Sequence, residues 1–130
     1  KFIEKLSPEM CGIGPFVPHK DTKFKNENHG DVSLVLMLLS IIRLLKPNIL
    51  LPATTALGTV DPLGREKGIL HGANVVMPNL SPVKHRKDYS LYDNKICTGD
   101  EAAQCIGCLA DRMKKIGYEI VTDRGDYTEK

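Results

Sequence analysis

Three cysteines toward the C-terminal end stand in the spacing Cys97-x7-Cys105-x2-Cys108. On a helix the last two lie one turn apart, so both sulfurs can face one side, and Cys97 can join them from the preceding loop. Three thiolates suit an iron–sulfur cluster with one open iron position better than a closed structural zinc site, which takes four protein ligands and would need a residue such as His85. The competing reading makes Cys105 a small core residue and leaves the other two as idle thiols. Cys11, inside an expected strand, reads as core. A second chemical feature is the hydroxyl pair Thr54-Thr55 at the end of an apolar run. Such hydroxyls either cap the following turn or bind a polar ligand, and on residue type alone the cap comes first. Arg65 and Arg86 could assist anionic groups at a cavity mouth, but single cations of this kind are usually solvated.

The elements that would position these groups follow from three apolar runs, each ending in a Pro/Gly/Thr cluster: Glu9-Met-Cys-Gly-Ile-Gly-Pro15, Asn48-Ile-Leu-Leu-Pro-Ala-Thr-Thr55 and Ala73-Asn-Val-Val-Met-Pro-Asn79. Segments of helical length separate them, so the order β, α, β, α, β predicts parallel strands joined by crossovers. In such folds the chemistry collects at the C-terminal strand ends, here Met10, Thr54, Thr55 and Met77. Asp31 is the expected N-cap of a helix over residues 32–45, closed by Pro47. Only Ser33, Ser40 and Arg43 interrupt its apolar residues, so both faces should want cover. Asp61-Pro62 is expected to open a short second crossover helix running to His71, with Gly72 as its stop. Residues 99–116 form an amphipathic pattern with Ala102, Cys105, Ile106, Leu109 and Met113 on one stripe and Gly117 as C-cap. A last strand over 118–121 and a frayed tail complete the expectation.

A chain of 130 residues, 42% hydrophobic and 26% charged, is enough for one compact core. Its 18 basic and 16 acidic residues leave a formal charge of +2 and no one-sign stripe, which argues against a nucleic-acid partner. The longest apolar helix falls short of the membrane, since about 14 residues at about 1.5 Å each do not span a hydrocarbon core of roughly 30 Å. An even cysteine count without an export signal points to reduced thiols or metal ligands rather than disulfides. The start at Lys1, inside what reads as the end of a helix, suggests a fragment of a longer protein. Open sheet edges and the apolar helix would favour self-association of such a fragment.

Taken together, Met10-Cys-Gly-Ile-Gly-Pro-Phe-Val-Pro-His19, Pro52-Ala-Thr-Thr-Ala-Leu-Gly58, Gly72-Ala-Asn-Val-Val-Met-Pro-Asn79 and Lys95-Ile-Cys97 resemble the C-terminal part of the HydE family. These are the radical S-adenosylmethionine (SAM) maturases of [FeFe]-hydrogenase, in the biotin-synthase-like group. The resemblance implies an α/β fold comprising about strands 6–8 of a (βα)8 barrel plus a C-terminal cysteine-bearing helix. Residues 1–93 would be the partial barrel and residues 94–130 an extension packed on it. Thr54, Thr55, Met77 and Tyr92 match residues of the substrate cavity, and Met10, Tyr89 and Leu91 match positions around SAM. Cys97, Cys105 and Cys108 match an auxiliary iron–sulfur site found in some members. The Cys-x3-Cys-x2-Cys motif that holds the catalytic [4Fe–4S] cluster does not occur in these residues, so the chain by itself is expected to be inactive. The family also implies a cytoplasmic enzyme, a small iron–carbonyl–cyanide–cysteine complex as substrate and other hydrogenase maturases as partners. Rival readings are a biotin-synthase-like or methylornithine-synthase-like enzyme, or a stand-alone metal-binding or interaction domain.

Overall fold

The middle apolar run carries the most completely buried backbone of the molecule: Ile49 and Leu51 are 0% exposed and Ala53 2%. It pairs on both sides, and both pairings are parallel, Met10 with Leu50 and Pro52 with Val75. On the first side the Leu50 N–H donates to the Glu9 carbonyl at 3.0 Å and the Cys11 N–H to the Leu50 carbonyl at 2.9 Å. On the second the Val75 N–H donates to the Leu51 carbonyl at 3.1 Å and the Ala53 N–H to the Val75 carbonyl at 2.9 Å. The predicted parallel order therefore holds, but the three segments form single bridges rather than strands among the described residues, which are 1–89, 91–96 and 102–128, without the side chains of 87 and 102–104, in this computed structural model.

Two residues explain why the strands stop. The next donor toward the first segment would be residue 52, and proline has no N–H to give. Toward the third segment, the Leu51 N–H is taken at 2.8 Å by the side-chain oxygen of Asn74 instead of a backbone carbonyl. Each ladder is thus cut after one repeat.

Helix α1 (Phe2–Leu6) is a single turn ending at Ser7. Between the first two segments lies α2 (Val32–Leu45), whose Asp31 carboxylate accepts from the Ser33 N–H at 2.7 Å, as the N-cap reading requires. It buries Val35, Leu36, Leu39 and Ile42, and a fully buried leucine such as Leu39 contributes roughly 1.5–3 kcal/mol. Leu34, Met37, Leu38, Ile41, Leu44 and Leu45 stay exposed and make an open apolar face. Two of the polar interruptions of α2 anchor the far end of the second crossover. Ser40 Oγ lies 3.1 Å from His71 Nδ1, and Arg43 Nε donates to the Gly72 carbonyl at 2.8 Å. Burial holds the Arg43 guanidinium below its usual range. Residue 72 must be glycine, because it sits at φ 102° and a Cβ there would lie 2.8 Å from the Arg43 Cβ.

The second crossover contains two helices, α3 (Thr55–Val60) and α4 (Gly64–Leu70), where the sequence predicts one that begins at Asp61. The first starts earlier because Thr54 caps it. Asp61 ends it, donating its N–H to the Leu57 carbonyl at 3.0 Å while its carboxylate accepts from the Leu63 N–H at 2.9 Å. Lys67, hydrogen-bonded to the same carboxylate at 2.6 Å, holds the Asp61 carboxyl below its usual range. The two helices meet at Gly64, where a Cβ would be 2.2 Å from the Leu57 carbonyl oxygen.

A 3₁₀ segment (Val83–Tyr89) follows the third run, and α5 (Ala102–Lys115) buries Cys105, Leu109 and Met113, while Ile106 is 45% exposed. Gly117, at φ 83°, follows the helix in the role expected of it. The strand expected over 118–121 is not formed; the Tyr118 N–H donates instead to the Met113 carbonyl at 3.0 Å, and these residues line a groove together with the third segment. No helix of the described residues is long and apolar enough to cross a membrane.

Helix α5 is fastened to α4 by Arg112, which grips the largely buried Glu66 carboxylate with Nε and Nη2 at 2.5 and 2.6 Å. Burial alone would raise the Glu66 carboxyl, but the hydrogen bonds from Arg112 and the charges of Arg112 and Arg65 outweigh it, and the group sits below the usual carboxylate range. The pair therefore stabilises the fold fully above the ordinary carboxylate value of about 4.5 and loses its effect as pH falls through the lowered folded value. Glu66→Gln should destabilise the chain at neutral pH by about 1–3 kcal/mol and progressively less in acid. Urea unfolding at neutral and acid pH reads this, and an equal deficit at both would remove the charge from the account.

Candidate functional site

Where the middle segment ends, Thr54 and Thr55 separate into two roles. Thr54 Oγ1 accepts from the Leu57 N–H at 3.3 Å and so caps α3. It is also hemmed in by the first segment, since a Cβ on Gly14 would lie 2.6 Å from that oxygen. Thr55 instead faces a cavity of about 180 Å³ that it lines with Arg65, Met77, Asn79, Lys95 and Ile96. Among the described residues no carboxylate lines it.

Each wall is held by a local device. Arg65 is only 3% exposed and its Nη2 donates to Thr55 Oγ1 at 3.2 Å. The third segment delivers Met77 and Asn79, and Asn79 is fixed by Arg86, whose Nη2 donates to the Asn79 carbonyl at 3.1 Å and whose Nε donates to the Ser81 carbonyl at 2.8 Å. Lys95 donates to the Tyr89 carbonyl at 3.1 Å, and the Ile96 N–H approaches Thr59 Oγ1 at 3.4 Å, so residues 95–96 close the cavity over α3. The Asp93 N–H, donating to the Pro18 carbonyl at 3.0 Å, ties the same stretch to the loop after the first segment.

Of the expected substrate residues, the structure brings Thr55 and Met77 together, keeps Thr54 one residue behind the wall, and leaves Tyr92 half-buried outside the lining. Met10, Tyr89 and Leu91, matched to positions around SAM, are 48%, 60% and 76% exposed. Met10 lines a separate groove of about 490 Å³ with Ile69, Val75, Met113 and Ile120, which shares no residue with the smaller cavity. Cys97 lies outside the described residues. Cys105 is buried and Cys108 exposed one turn further along α5, both as free thiols, and among the described residues no group of three His, Cys, Asp or Glu side chains is placed to hold a metal.

The reading of Arg65 and Arg86 as solvated cations is overturned, since Arg86 is 2% exposed and Arg65 scarcely more. The signal for Arg65 was Gly58, a small residue that leaves room for its stem, while Gly64 and Gly68 let α4 approach Leu57 and Ala53.

Parallel pairing of extended segments with helices between them, and hydroxyls gathered at the C-terminal end of the central segment, define a βα protein of the kind that binds ligands at that end. The comparisons narrow the class. The chain is 42% identical over 124 residues to the [FeFe] hydrogenase maturase subunit HydE of Thermotoga maritima, a match covering 95% of this chain and 36% of that relative. It thus spans about a third of the relative's length. No family model matches the chain. The similarity bears out the resemblance to the C-terminal part of HydE and implies the radical SAM (βα)8 fold, of which the two parallel bridges are the local sign.

The capping role of Thr54 is separable from any ligand role. Thr54→Ala should cost about 1 kcal/mol of stability and Thr54→Ser should recover most of it, as seen by denaturant midpoint. An unchanged midpoint in Thr54→Ala would remove the cap from its duties.

Proposed function

We propose that this chain forms the substrate-side wall of a radical SAM enzyme that matures the di-iron cofactor of [FeFe]-hydrogenase. The observation that carries the reading is the cavity behind Thr55, which joins two residues of the expected substrate set to a buried guanidinium in a chain 42% identical to HydE. In the whole enzyme, SAM and a [4Fe–4S] cluster held outside these residues would supply a 5′-deoxyadenosyl radical for attack on a sulfur-containing substrate. The residues of this chain bind and orient that substrate. Thr55, backed by Arg65, meets a polar or anionic end, Met77 packs against the sulfur-bearing part, and residues 95–96 limit access of water. A small iron–carbonyl–cyanide–cysteine complex fits this chemistry through its carboxylate, and other maturases would deliver it and take the product. Alone, without the catalytic cysteine motif, the chain would be inactive.

Thr55→Val in the full-length enzyme is expected to weaken substrate use by the equivalent of about 1–3 kcal/mol while substrate-free SAM cleavage changes little. Parallel losses in both rates would take Thr55 out of the substrate site.

The auxiliary cluster belongs to the same proposal, with Cys97 joining Cys105 and Cys108. Anaerobically reconstituted chain should bind iron and absorb in the visible, Cys11→Ser should leave this unchanged, and replacement of the three other cysteines by alanine should abolish it. Equal iron content in parent and triple variant overturns the assignment.

A further inference from the structure

Arg65 is a long cation placed where the fold had to make room for it. Its stem runs past Gly58, where a Cβ would lie 3.3 Å from Arg65 Cγ, 3.4 Å from its Nε and 3.0 Å from Ile96 Cδ1. Any other residue at position 58 would press on both the arginine and the wall of the cavity. The helix pair α3 and α4 thus holds the guanidinium along a fixed path, ending 3.2 Å from Thr55 Oγ1.

The direction of that hydrogen bond has a chemical consequence. A guanidinium has donors only, so Thr55 Oγ1 must be the acceptor, and the hydroxyl proton must point elsewhere. Thr55 lines the cavity, and no described protein acceptor receives that proton. We propose that Arg65 is a positioning residue that commits the Thr55 hydroxyl to donate into the cavity, so that the site selects a ligand carrying a carboxylate or comparable acceptor over its neutral amide. The inference rests on Thr55 being a substrate contact and adds the residue that sets its polarity. The remaining described lining agrees with it: Lys95 is a second cation, and among the described residues no lining side chain is an acid. A hydrogen bond from a charged donor also polarises the hydroxyl, which strengthens the bond it gives in turn.

The test uses the full-length enzyme and two probes, S-methyl-L-cysteine and S-methyl-L-cysteinamide, with binding followed by calorimetry. The parent should prefer the carboxylate. Arg65→Met, which keeps the length of the stem, should weaken carboxylate binding by roughly tenfold to a hundredfold and change amide binding little. In a Thr55→Val background the same substitution should cost much less, because the two residues act through one hydroxyl. Arg65→Lys, which retains the charge and loses the fork, should keep part of the preference and serves if the methionine variant folds poorly. Equal weakening of both probes, or full additivity with Thr55→Val, overturns the positioning role. If Thr55→Val itself leaves binding and turnover of substrate unchanged, it is the assignment of the cavity that fails; if Thr55→Val matters and Arg65→Met does not, only this inference fails.

Discussion

Everything in this chain hangs on a five-residue stretch, 49–53, that is buried at every position but Leu50 and has neighbours on both edges. A buried backbone must satisfy every N–H and carbonyl, and a central parallel segment does so only by pairing left and right. Residues 9–11 and 73–76 are held in place by that demand. The helices follow, since each parallel return needs a crossover: α2 for the first, and α3 with α4 for the second.

How far the pairing extends is set by two side-chain properties. Pro52 removes the donor that would carry the first ladder onward, and Asn74 substitutes its amide oxygen for the carbonyl that would carry the second back. With the ladder ended at Ala53, the chain is free to turn into a helix at once, and Thr54 caps it. That abrupt change from extended to helical backbone leaves Thr55 at the floor of a cavity. Glycines 58, 64 and 68 then let α3, α4 and the Arg65 stem approach closely enough to form its wall.

The large open face of α2 has the same origin. A helix that serves as a crossover buries the stripe that meets the sheet, and Leu39 and Ile42 do so here. Leu34, Met37 and Ile41 lie on the other side and stay exposed. Ser40 and Arg43 interrupt the pattern because they reach His71 and Gly72, not because the helix has a solvent face.

Local chemistry was enough to read Asp31 as a cap, Pro47 as a stop, Gly72 and Gly117 as terminators and the parallel order of the three runs, because each depends on residues close in sequence or on a pattern of alternation. The combination of motifs at Met10, Pro52, Gly72 and Lys95 was likewise enough to show the likeness to HydE. The tertiary structure alone decided which hydroxyl faces the cavity, since Thr54 and Thr55 are the same residue type and differ only in which side of the turn they occupy. It also buried Arg65 and Arg86 against the usual behaviour of single arginines. On α5 it turned Cys105 inward and Cys108 outward, because helical spacing fixes an angle between two side chains but not where the core lies. Burial of a polar group depends on partners distant in sequence, such as Thr55 for Arg65 and Arg112 for Glu66, and no pattern within one element encodes them.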